Sequence, residues 1–122
     1  MSANLNEPGG VRPGVLSLSI KEKSALFAAY MPFVKGGGLF IPTNKQYKMG
    51  EEVFMLLTLM EDPAKLPVSG KVVWITPAGA HGGRTQGVGV QFAFNESGKM
   101  AQNKIEGLLG GSLKSTRPTH TL

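Results

Sequence analysis

Residues 52–60 (Glu-Val-Phe-Met-Leu-Leu-Thr-Leu-Met) are almost continuously apolar, the pattern of a strand buried on both faces. Residues 66–76 alternate instead. Val68, Gly70, Val72 and Trp74 share one parity and Ser69, Lys71, Val73 and Ile75 the other, which predicts one long strand that Gly70 allows to bend or bulge. A glycine-rich loop over residues 77–86 leads to Gly-Val-Gly-Val-Gln-Phe at 87–92, so these two strands are expected to pair as a hairpin. Upstream, residues 15–20 (Val-Leu-Ser-Leu-Ser-Ile) alternate imperfectly but in a β-like way, and residues 39–42 form a short strand. Residues 25–31 carry helix-favouring Ala and Leu, yet Pro32 cuts the segment short between strands, and it reads as a sixth strand.

Past residue 92 the period changes. Asn95 is an N-cap candidate followed by Glu96, and Ala101, Ile105, Leu108 and Leu109 fall at i, i+4, i+7 and i+8, one apolar stripe of a helix that Gly110 and Gly111 end. Gly98 and Gly107 weaken this helix intrinsically, so it must be held by packing. The pattern predicts a mainly β domain, a six-stranded antiparallel barrel over residues 14–110 closed by a C-terminal helix. A flexible arm is expected at 1–13 and a flexible tail at 111–122, both polar.

Composition agrees with one β-rich domain: 122 residues suffice for a single core, and 17 Gly with 8 Pro disfavour a helical bundle. The absence of cysteine removes disulfides, thiolate nucleophiles and cysteine-ligated zinc. No apolar run reaches membrane-spanning length, and the first residues lack the charged start and apolar stretch of a secretory signal, so a cytoplasmic protein without membrane insertion is expected. Thirteen basic against eight acidic residues give a charge of +5, but the cations are scattered singly, which argues against nucleic acid as a partner.

Candidate chemistry is sparse. His81 sits among glycines and His120 in the tail, neither beside an orienting carboxylate, and the acid pairs Glu51/Glu52 and Glu61/Asp62 mark the solvated ends of the buried strand. No phosphate-binding Gly-Lys-Ser/Thr follows any glycine loop. The chain is therefore read as no enzyme, with neither metal nor cofactor. Gly36, Gly37 and Gly38 allow close approach of a ligand, but an anion site also needs several converging donors, and only Lys35 is at hand.

One set of segments is more specific. Residues 30–43 (Tyr-Met-Pro-Phe-Val-Lys-Gly-Gly-Gly-Leu-Phe-Ile-Pro-Thr), 50–59, 68–74, 87–92 and 118–122 (Pro-Thr-His-Thr-Leu) together resemble the pilus-assembly branch of the PilZ-domain family, over about residues 14–122. In that family, members that bind cyclic di-GMP use an Arg-x-x-x-Arg and an Asp/Asn-x-Ser-x-x-Gly motif. This chain departs from both: Phe33 stands at the acid or amide position, Lys35 at the serine and Gly38 at the glycine, while Arg12 has no arginine at position 8 or 16. A lone lysine cannot reproduce the bidentate guanidinium fork that reads purine and phosphate. The resemblance implies an adaptor in type IV pilus assembly and twitching motility, a monomer in isolation, that contacts the pilus-extension ATPase and a cyclic-di-GMP-sensing EAL-domain protein without itself binding the dinucleotide. The competing reading is a degenerate cyclic-di-GMP receptor whose ligand contacts are weak or completed by a partner.

For an adaptor the candidate residues are surface aromatics and the tail. Trp74 is either a core aromatic, sharing a face with Val68 and Val72, or a half-exposed anchor near the strand end. Phe27 and Tyr30 differ in strand parity, so an ideal strand exposes only one; Phe27, between Ala25 and Ala29, is the one expected outside. Pro118, Thr119, His120, Thr121 and Leu122 are either simply disordered or a handle for a partner, docked as an added strand or through the terminal carboxylate.

Overall fold

The computed structural model describes residues 15–115 and 118–121. The arm predicted at 1–13, Arg12 and Leu122 therefore lie outside the described residues. In chain order the elements are β1 (Val15–Ile20), α1 (Lys23–Ala29), β2 (Gly38–Pro42), β3 (Glu52–Leu59), β4 (Lys65–Thr76), β5 (Gly87–Phe92) and α2 (Glu96–Leu109), with short 3-10 turns at His81–Gly83 and Gly110–Lys114. The described strands form one curled five-stranded sheet in the order β1-β3-β4-β5-β2.

Two expectations are corrected here. The sheet is mixed, because β1 runs parallel to β3 (Val15 beside Phe54, Ile20 beside Leu59), while the remaining neighbours are antiparallel. The sixth strand is a helix. In residues 25–31 packing decides for the helix that Ala and Leu favour locally, since Leu26, Phe27, Ala29, Tyr30 and Met31 are all buried. A period near 3.6 gathers Leu26, Phe27 and Tyr30 on one side, where a period of 2 would split them. Pro32 limits the helix to two turns, and Tyr30 returns to extended backbone with its N–H on the Leu26 carbonyl.

The core lies between the concave face of the sheet and the helices. Val53, Met55, Leu57 and Leu59 of β3, Val68 and Val72 of β4, and Val88, Val90 and Phe92 of β5 point inward. Against them α2 sets Ala101, Ile105 and Leu109, with Leu108 half-buried beside them, so the apolar stripe does what its spacing requires. The Asn95 side chain caps α2 by accepting from the Gly98 N–H at 2.9 Å. Gly98 is there for closeness: a Cβ would stand 2.1 Å from the Ala93 carbonyl oxygen.

β4 carries a bulge, three positions beyond the expected Gly70. Its pairing with β5 runs Val72 to Val90 and then Trp74 to Gly89, leaving Val73 as the extra residue. Directly opposed residues of an antiparallel pair share a face, so Val72 stays inside with Val90 while Trp74 crosses to the outer face with Gly89. The shared parity of Val68, Val72 and Trp74 in the sequence is thus undone by one inserted residue.

Candidate interaction surface

On the outer face, β2, β5 and β4 place Phe40, Gly89 and Trp74 in one cross-strand row. Gly89 keeps this row low: a Cβ there would come within 2.7 Å of the Met31 thioether and 2.8 Å of the Trp74 Cβ. Met31 and Phe40 are fully buried in this position, a second small apolar layer on the far side of the sheet from the main core. Trp74 is half-buried and its indole N–H donates to the Thr76 hydroxyl at 2.9 Å, so the ring is fixed while one edge stays open.

Phe33 packs beside the indole. Its ring stands edge-on to Trp74 with centroids 6.1 Å apart and an interplanar angle of 63°, and it remains 47% exposed. The position where the resemblance expects an acid or amide therefore holds an apolar ring engaged with another. Lys35 is also committed: its ammonium lies 5.7 Å from the centroid of Phe94, and its carbonyl accepts from the Gln91 side-chain amide at 2.9 Å. Gly38 keeps a structural part, paired with Gln91 where a Cβ would come within 2.7 Å of the Val90 carbonyl oxygen. Of the three degenerate-motif positions, Phe33 and Lys35 are turned to aromatic contacts.

The tail is laid on the same face. The His120 ring stacks on Phe40 (centroids 4.9 Å, interplanar 27°); the backbone N–H of His120 donates to the Ala28 carbonyl and the Arg84 guanidinium donates to the His120 carbonyl oxygen, both at 2.9 Å. Thr121 is buried, Thr119 and His120 are half-buried and Pro118 is exposed. Residues 118–121, expected in a flexible tail, are thus packed on α1 and β2.

The expectation for Phe27 is corrected: its ring is buried, and with Tyr30 buried as well neither presents an exposed ring to a partner. The Tyr30 hydroxyl donates to the Glu106 carboxylate at 2.6 Å and ties the end of α1 to α2. Burial first, and then the Glu106 carboxylate, hold its phenol well above the ordinary tyrosine range. Sequence reasoning missed Met31, Phe40, Gly89 and Arg84. The paired Gly87 and Gly89 were the available signal, since small residues on one face of a strand leave room for large ones from elsewhere.

Among the described residues no cluster of three His, Cys, Asp or Glu is placed to hold a metal ion, and no helix is long and apolar enough to cross a membrane. A comparison with curated proteins finds no match. The family model described as PilZ domain matches residues 13–111, most of the chain, and the curled sheet with its C-terminal helix accords with that fold. The chain belongs to the PilZ domain family, whose members are non-enzymatic binding domains.

Proposed function

We propose that this PilZ domain is an adaptor in type IV pilus assembly and twitching motility, and that it contacts the pilus-extension ATPase and an EAL-domain cyclic-di-GMP effector in the cytoplasm. The observation that carries the reading is the Phe33–Trp74 pair, two aromatic rings joined edge-to-face at the position where a dinucleotide-gripping family member needs a polar side chain. Such a patch has the character of a protein-binding hot spot, with a large ring held by its neighbours and open on one edge. With Phe33 apolar and Lys35 held over Phe94, the chain does not itself bind cyclic di-GMP. Trp74 and the tail residues Pro118, Thr119, His120, Thr121 and Leu122 are the contacts assigned to partners. Phe27 and Tyr30 support them from beneath, through the helix on which the tail rests.

Two measurements test this. Isothermal titration of the purified chain with cyclic di-GMP is expected to show no heat of binding; one-to-one micromolar binding would instead establish a degenerate receptor. Co-purification with the ATPase and with the EAL-domain protein, separately and together, is expected to recover each. Failure to recover either would remove the adaptor assignment.

A further inference from the structure

The same sheet has a second exposed aromatic site, separate from the Phe33–Trp74 pair. A groove of about 500 Å³ crosses β3, β4 and β5 on the outer face, lined by Phe54 and Phe94 with Glu52, Ser69, Lys71 and Gln91 between them. Phe94 is 71% exposed, yet it is held on the side away from the groove. Gly36 lies so close that a Cβ there would stand 2.9 Å from the Phe94 ring, and the Lys35 ammonium caps the ring face. Phe94 thus forms a ridge, with a further hollow of about 350 Å³ behind it that includes Lys99 and Gln102. A ring presented this way is pre-organised, which lowers the ordering cost of binding.

The charges around the ridge choose the partner. Lys71 and Lys99 have no acidic partner among the described residues, whose one ion pair joins Lys104 to Asp62, and Lys35 lies on the ring. Against these three cations stand Glu52, opposite Lys71 in the strand register, and Glu96, in the first turn of α2 where the helix end favours a carboxylate. Cations are in excess on a chain that is basic as a whole.

The geometry points to the Phe54–Phe94 groove as a docking site for an acidic amphipathic segment of a partner protein, its apolar side chains between the two rings and its carboxylates on Lys71 and Lys99. The inference rests on the adaptor reading and adds to it a second surface, so that two partners can be held on one sheet. The glycine turn joins the two surfaces, since Phe33 leans on Trp74 while Gly36 and Lys35 support Phe94.

The test is an amide-resolved NMR titration of the full chain with a short synthetic peptide carrying Phe and Leu at i and i+4 and glutamate elsewhere. A matched peptide with lysine for glutamate serves as control, together with vesicles of anionic phospholipid. Saturable shifts at Ser69, Lys71, Gln91 and Ala93 with the glutamate peptide, about tenfold weaker for Phe94→Ala and for Lys71→Glu, and weakened by salt, are expected. Trp74→Ala is expected to leave this titration unchanged, so loss of partner recovery at the Trp74 patch and loss of the groove are read separately. The inference is overturned if the glutamate peptide causes no shifts, if Phe94→Ala binds it equally, if the lysine peptide binds as well, or if only the vesicles shift these residues.

Discussion

Phe33 and Trp74, forty-one positions apart in the chain, meet edge-to-face with ring centroids 6.1 Å apart. The contact needs the bulge that turns Trp74 outward and the glycine turn that brings Phe33 to it. Replacing Trp74 with Ala is expected to weaken binding to the ATPase by about 2 kcal/mol or more. It also costs stability, about 2 kcal/mol, below the range for fully buried aromatics because the ring is half open. Phe33→Ala separates the two effects: its thermal melt should move little while pull-down of the partner falls. Unchanged binding in a folded Phe33→Ala protein would remove the pair from the interface.

Gly89 offers a test of the outer layer that removes no aromatic ring. A methyl group there must displace Met31 and Trp74, and Gly89→Ala is expected to destabilise the fold by about 1–3 kcal/mol, the usual cost of overpacking. Chemical denaturation measures it. A midpoint equal to that of the parent protein would mean that the row Phe40–Gly89–Trp74 is not closely packed.

Tyr30 predicts a dependence on pH. Its phenol is raised in the folded protein by burial first and the Glu106 carboxylate second, from an ordinary value of 10.0 that the unfolded chain retains. Below that value both states are protonated and the stabilisation is complete. As the pH rises past it the unfolded chain loses its proton before the folded one, so stability declines. Melting temperature is therefore expected to fall above about pH 10, and less steeply for Tyr30→Phe. Tyr47, also raised by burial and then by Glu51, keeps part of the slope in that variant. Identical slopes for the two proteins would refute the assignment to Tyr30.

The tail residues yield a fourth prediction. His120→Ala removes the ring stacked on Phe40 and is expected to cost about 1 kcal/mol. The fold should persist, because the main core lies on the other face of the sheet. Hydrogen exchange should then quicken at the His120 amide, which donates to Ala28, and leave β3 and β4 unaffected. Exchange unchanged at His120 would show that the ring does not anchor the tail.

What the sequence determined by itself is what local periodicity encodes. The apolar run at 52–60, the alternation at 66–76 and 87–92, and the stripe of Ala101, Ile105, Leu108 and Leu109 each specify an element, and β3, β4, β5 and α2 stand where these patterns lie, although β3 is buried on one face rather than the two expected and leaves Phe54 exposed on the other. The loss of polar groups at the degenerate motif was equally legible, because it depends only on residue identity at Phe33 and Lys35. Tertiary structure decided the rest. Residues 25–31 satisfy both a strand and a helix locally, and the choice falls to the packing of Leu26, Phe27 and Tyr30 in the core. The face on which Trp74 emerges depends on a single extra residue at Val73, which costs little locally but inverts every side chain beyond it. The direction of β1 and the docking of His120 on Phe40 are long-range pairings, and a linear pattern carries no term for which distant surface a segment will meet.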